Sequence, residues 1–498
     1  MLRISIAALA LVAWAAAPAH AQDARGALEA ASTALGAATL RSVQYIARGS
    51  DFIFGQPYDG NSPWPRFNVT AMTLAIDYAT PALLDDRRRT QGENPPLGGG
   101  FQPILGEIRQ IWALNGPYAW DVAGQNAVPG APERDFRSAV VGRTTQVFLT
   151  PHGFVKGALA SADAKASSYT LRGAKKTVVT FTSPTGLKFE GTLNDQHLVE
   201  RITTWVANPV LGDVLFEAML TDYREFGGTT FPTRIVHREG GYPVLDITVT
   251  DVKPNAPLTL EVPANIRQAA PAPALVPELM AEGVWIIPGG ARSVLVEFRD
   301  HLVVIDAPET EERSLTVIQA IRKVSPTKPI RFVVNTHLHF DHAGGLRTYA
   351  ADGATIVTHR DNIPFYQQVW SYPRTVGPDT LATSGRTPTF EPVAGSRVFT
   401  DGVRTMVVYH YAGNMHNPGM LMVHLPKERI LVEADSYTAP ANLADQPAGM
   451  VNLVQFSEVL DRLRLEVDQI IPIHGTLATP AEIKKAVDTF RSNGLWGR

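Results

Sequence analysis

The chain has 498 residues, 45% hydrophobic and 19% charged, with Lys+Arg 45 against Asp+Glu 48 and a formal net charge of -3. That length accommodates two or three hydrophobic cores, and the near balance of charge supplies no basic field for nucleic acid or an anionic membrane. The absence of cysteine excludes disulfides, thiolate metal sites and a cysteine nucleophile, so any metal must be held by His, Asp or Glu.

Met1-Leu2-Arg3 is a short basic start, residues 4–17 are almost wholly apolar, and Ala19-His20-Ala21 is an A-x-A cleavage pattern. Together they predict a signal peptide over residues 1–21, cut after Ala21. The expectation is a periplasmic or secreted protein with no transmembrane anchor in its mature form.

Residues 22–267 are expected to form a β-rich N-terminal domain. Residues 28–40 have helical composition, and residues 59–66 and 91–100 are Gly/Pro/Asn-rich loops. The runs 176–183, 187–193, 198–206, 214–225, 230–239 and 244–252 are rich in Val, Ile, Thr and Phe. Turn residues such as Gly227-Gly228 and Gly240-Gly241 separate them, which predicts an antiparallel meander. The stretch TDYREFGGTTFPTRI, residues 221–235, resembles the half-open sheets of periplasmic lipoprotein-carrier (LolA-like) domains. That resemblance implies a half-barrel-like sheet with helices, able to present a lipophilic substrate.

Residues 268–280, QAAPAPALVPELM, alternate Ala and Pro and predict an extended linker. Residues 281–498 then change rhythm. Strands at 284–287 and 293–298 lead to the continuous apolar run 302–305, a helix-spaced stretch at 314–324 and a strand at 331–335. Buried strands alternating with helices predict an α/β sandwich. The fold class expected overall is a two-domain α+β protein.

Thr336-His337-Leu338-His339-Phe340-Asp341-His342 follows the 331–335 strand. His337 and His339 lie two apart and point the same way in an extended segment. Asp341 continues that phase, and His342 turns aside as a helix begins. Imidazole and carboxylate donors suit Zn²⁺, with Fe²⁺ or Mn²⁺ as alternatives.

This HxHxDH block resembles the signature of the metallo-β-lactamase superfamily, over about residues 282–474. The resemblance implies an αββα sandwich with two metal ions at one edge. It implies His337, His339 and His416 at a first site, Asp341, His342 and His474 at a second, and Asp435 bridging. Asp306 matches a structural aspartate without a metal bond. His416 is preferred to His410 and His424, which fall within apolar strands. His301 and His359, and His152, His197 and His237 in the first domain, are read as structural.

The resemblance further implies a hydroxide shared by two cations that attacks a carbonyl or phosphoryl centre, with Asp341 orienting it and taking its proton. Tyr437 and Thr438 are candidate donors to the developing oxyanion, and residues 362–386, carrying Phe365, Tyr366, Trp370 and Tyr372, are a candidate substrate wall. No GxSxG elbow is present. An Asp at the bridging position is similar to thioesterase, lactonase and phosphoesterase members. The activity expected is therefore hydrolysis of a small-molecule or lipophilic ester, lactone or thioester. The alternatives are a β-lactamase, an iron-dependent redox member and a non-enzymatic binding protein. Oligomeric state leaves no mark in the sequence.

Overall fold

The computed structural model describes residues 20–22, 24–100, 102–104, 106–131, 138–269, 274–438 and 450–492. Residues 1–19 of the expected signal peptide and 270–273 of the expected linker lie outside the described residues. His20–Gln22, at the expected cleavage point, forms a strand antiparallel to Lys165–Leu171. The end of the Ala/Pro stretch, Glu278–Ala281, is also a strand.

The N-terminal part is one 14-stranded antiparallel sheet. The hairpins of the second half run as the Val/Ile/Thr pattern predicts, from Ala174–Thr182 to Tyr242–Pro254. Tyr242–Pro254 then pairs with Ser42–Phe52, which continues the sheet through Arg66–Asp77, Ala82–Gln91 and Glu107–Asn115. Of these, Ala82–Gln91 carries too many charges to be legible as a strand. The helices Ala24–Leu35, Ala139–Phe148 and Pro151–Ala160 cover one face. Phe154 on the last of them seats against Gly191, where a Cβ would come within 2.2 Å of its ring. Leu28, Val147, Phe154, Phe181 and Phe189 belong to the core beneath.

The C-terminal part has a seven-stranded and a five-stranded sheet. In the first, Leu302–Ile305, Ile330–Val334, Thr355–His359 and Thr389–Val393 run parallel. Both faces of such strands are covered, which explains the unbroken apolar run. Val303 and Ile305 pack toward Met406, Val408 and Met422 of the second sheet. Leu302 and Val304 face the other way, toward Val317 and Ile321 of helix Glu311–Val324. Helices Met450–Leu463 and Pro480–Ser492 belong to the second sheet's side, with Phe456 and Phe490 in its core. The layers are therefore helix, sheet, sheet, helix.

The two parts are joined by packing as well as by the chain. Phe54 and Trp64 meet Phe340 with ring centroids 5.6 and 5.8 Å apart. The Arg374 guanidinium donates to the carbonyls of Asn208, Pro209 and Val210. Phe365 lies against Gly60, where a Cβ would sit 2.7 Å from its own. Tyr366 and Trp370 join the core with Phe390, so these two aromatics of the 362–386 segment pack inward. Among the described residues no helix is long and apolar enough to cross a membrane.

Candidate metal centre

Four of the predicted ligands leave the end of a buried strand, Asp341 and His342 sit on the short helix Phe340–Ala343, and His416 lies in the loop between strands Thr405–His410 and Leu421–Leu425. His337 and His339 follow Ile330–Val334, Asp435 follows Ile430–Glu433, and His474 follows Gln469–Pro472. Asp306 and Asp435 both take positive φ, 57° and 59°. Asp enters this left-handed region more readily than most residues, and there the chain turns sharply just past its strand.

Two groups of four donors result, with ligand atoms within 4.8 Å of one another in each: His337, His339, His416 and Asp435, then Asp341, His342, Asp435 and His474. Asp435 belongs to both. Its Oδ2 lies 3.0 Å from His416 Nε2 and 3.7 Å from His337 Nε2. Its Oδ1 lies 3.1 Å from His342 Nε2 and 3.6 Å from His474 Nε2. Such spacings bracket the ~3.3 Å edge of a tetrahedron with metal–ligand bonds of about 2.0–2.1 Å.

Extended alternation alone would point Asp341 along with His337 and His339. The short helix Phe340–Ala343 begins before Asp341 and carries it to the same side as His342, the grouping that the family resemblance implies.

Hydrogen bonds to the outer ring nitrogens fix which nitrogen faces inward. His339 Nε2 donates to the Pro57 carbonyl (2.8 Å), leaving Nδ1. His342 Nδ1 donates to Asp306 Oδ2 (2.8 Å) and His474 Nδ1 to the Gly290 carbonyl (3.1 Å), leaving both Nε2 atoms. Thr336 Oγ1 gives its proton to Asp306 Oδ2 and accepts from His337 Nδ1, leaving Nε2. The inward atoms His337 Nε2, His339 Nδ1, His416 Nε2 and Asp435 Oδ1 are buried without a hydrogen-bond partner. Buried polar atoms are rarely left so, and the donor set fits a cation.

The electrostatics agree. Burial, with His416 next to it, pushes the His339 pKa down to about 3. Burial and the neighbouring His342 hold His337 well below its usual range. For His342, burial favours the neutral ring, but Asp435 and Asp341 outweigh it and raise the pKa well above normal. Burial also raises the carboxyls of Asp341 and Asp435, and His342 beside both overturns it, holding them well below the usual range. The first group thus offers neutral imidazoles, and the second sets two ionised carboxylates around His342.

The rival histidines stay outside. His410 Nε2 donates to the Pro418 carbonyl and His424 Nε2 to the Glu466 carbonyl. His301 stacks on Phe298, and His152 on Phe231. Tyr437 is buried among apolar neighbours, and Thr438 beside it is exposed.

No residue pattern in the chain hints at the opposite wall. Residues 53–58 of the N-terminal part reach across, and Gln56 Nε2 donates to Asp341 Oδ1 at 2.6 Å. A cavity of about 580 Å³ opens from Asp341 and His474 into the N-terminal sheet. Tyr45, Leu74, Leu220 and Ile235 line it together with Asp51, Asp85, Arg87 and Arg89. The charges are paired, Arg87 with Asp51 (3.0 Å) and Asp85 (2.6 Å), Arg89 with Asp51 (3.3 Å).

Residues 286–442 match the model of the metallo-beta-lactamase superfamily. The chain is 24% identical over 172 residues to the 2,4-dinitroanisole O-demethylase subunit alpha of Nocardioides sp. (strain JS1661), covering 34% of this chain and 48% of that protein. It is 23% identical over 218 residues to the linear primary-alkylsulfatase of Pseudomonas sp. (strain ATCC 19151), covering 36% and 40%. The chain thus spans less than half the length of these curated relatives. Among solved structures, a metallo-beta-lactamase from Pontibacter korlensis aligns at 19% identity and a TM-score of 0.34, over 44% of this chain and 99% of its own. The C-terminal part of the protein is a domain of the metallo-β-lactamase superfamily.

Proposed function

We propose that the protein is an exported, binuclear metal-dependent hydrolase of an ester-type bond, with two Zn²⁺ ions as the resident metals. The observation that carries this reading is Asp435, whose two oxygens face two separate sets of histidines. Bound there, divalent cations would lower the pKa of a water toward neutrality and polarise the scissile oxygen. The chain's own part is to hold the cations and manage the proton. His337, His339 and His416 serve one position; His342, His474 and Asp341 serve the other. Asp341 orients the attacking water and accepts its proton. Tyr437, two residues beyond Asp435, donates to the developing oxyanion.

The cavity supports a small-molecule substrate, since its volume lies within the ~300–1,000 Å³ typical of such sites. Its wall mixes apolar side chains with ion pairs, which favours an amphiphilic ester, lactone or thioester over a purely hydrocarbon one. A sulfate ester belongs in the same panel because one relative is named an alkylsulfatase.

The test is elemental analysis followed by hydrolysis of ester, lactone, thioester, sulfate-ester and β-lactam substrates. About two equivalents of zinc, with turnover that a chelator abolishes and zinc restores, is expected. Full metal occupancy without turnover on any of them would refute the reading, and β-lactam turnover alone would reassign it. Export predicts that protein recovered from the periplasm or medium begins at Gln22; recovery of an intact residue 1–21 segment there would count against it.

A further inference from the structure

Gln56 stands 285 positions from Asp341 and is 4% exposed. Its amide is the donor on Asp341 Oδ1, and only the amide NH₂ can donate to a carboxylate. The other oxygen, Oδ2, points at the second donor group, 3.5 Å from His474 Nε2 and 3.8 Å from His342 Nε2. A carboxylate on a short side chain turns freely unless its outer oxygen is tied. The Gln56 bond therefore fixes which oxygen is offered inward and at what angle.

The same stretch holds the neighbouring ligands. The Gly55 carbonyl accepts from Phe340 N (3.1 Å), and the Pro57 carbonyl accepts from His339. Tyr58 O accepts from Asn417 Nδ2 (2.9 Å), beside His416. Behind Gln56, Gly99 leaves room for the amide; a Cβ there would come within 1.9 Å of Gln56 Oε1. A packed, hydrogen-bonded frame of this kind sets side-chain geometry more narrowly than a solvent-facing contact does.

We infer that Gln56 is a positioning residue of the metal centre, which the N-terminal sheet and the C-terminal sandwich build jointly. The inference rests on the binuclear reading above, and its test separates the two. The full-length chain is stripped by chelation and titrated with Co²⁺, following heat and visible absorption, for wild type, Gln56→Met and Gln56→Ala. Methionine keeps most of the volume and removes the donor; alanine serves if methionine overfills the site. Circular dichroism and melting confirm that each variant is folded.

Wild type should bind two equivalents. The variants should bind the first unchanged and the second about 10- to 100-fold more weakly, with an altered absorption spectrum for the second ion. Variants that take both equivalents with wild-type affinity and spectra would overturn the role of Gln56 while leaving the binuclear reading intact. Wild type that binds fewer than two equivalents would overturn the binuclear reading, and the inference with it.

Discussion

Asp306 shows how much of this centre depends on residues that touch no metal. Its carboxylate accepts from Thr336 N and Thr336 Oγ1, both at 2.7 Å, and from His342 Nδ1. It therefore sets the tautomer of two histidines, one directly and one through Thr336. Asp306→Asn places an NH₂ among donors and is expected to weaken metal binding about 10- to 100-fold, measured by competition with a chromophoric chelator. Tyr437→Phe tests a different role: kcat on an ester should fall about 100-fold with metal content unchanged, whereas equal kcat would make the tyrosine a packing residue. The HxHxDH block was legible because its donors crowd into one segment. The role of Gln56 was not, because a lone glutamine in a loop carries no local pattern and acquires meaning only through a partner hundreds of residues away.

At the level of elements, the strand Ala82–Gln91 is the instructive case. Its sequence, ALLDDRRRTQ, reads as a solvated charged run. In the sheet, Leu83, Asp85, Arg87 and Arg89 alternate inward, while Asp86 and Arg88 face out to Arg109 and Glu107. Strand periodicity is present, but carried by charge in place of apolarity, since inward residues meet each other across a cavity. Burial raises the Asp85 carboxyl, and Arg87 beside it acts in the opposite direction. Arg87→Leu would strip the cation from buried carboxylates and is expected to cost about 3–5 kcal/mol, read from denaturant unfolding. The later hairpins were legible because their inward positions are Val, Ile and Phe and glycine pairs mark their turns. The apolar strand Leu302–Ile305 was legible for the matching reason, two covered faces.

Across the whole molecule, stability should depend on pH through groups far from the metal centre. His152 is fully buried, its Nε2 3.1 Å from the Leu35 carbonyl, and burial depresses its pKa to about 4 from 6.5. The folded chain resists the proton that the unfolded chain accepts, so the stabilisation is complete above pH 6.5 and is lost as pH falls toward 4. The loss is on the order of 3 kcal/mol. Thermal melts should show this slope, and His152→Gln should reduce it, leaving the part carried by His237, whose burial also depresses its pKa to about 4. Chelation should also lower the melting temperature at neutral pH, because a ligand that binds only the folded chain stabilises it by mass action.

Residue types and local order in the sequence determined the ligand chemistry, the absence of thiolate and the sandwich that carries the HxHxDH loop. These follow from short-range rules: donor identity, strand alternation and turn residues. The tertiary structure alone decided that a charged N-terminal sheet walls the cavity and that Gln56 reaches across to steady Asp341. Contacts between strands hundreds of residues apart are set by packing, and packing leaves no periodic trace in the chain.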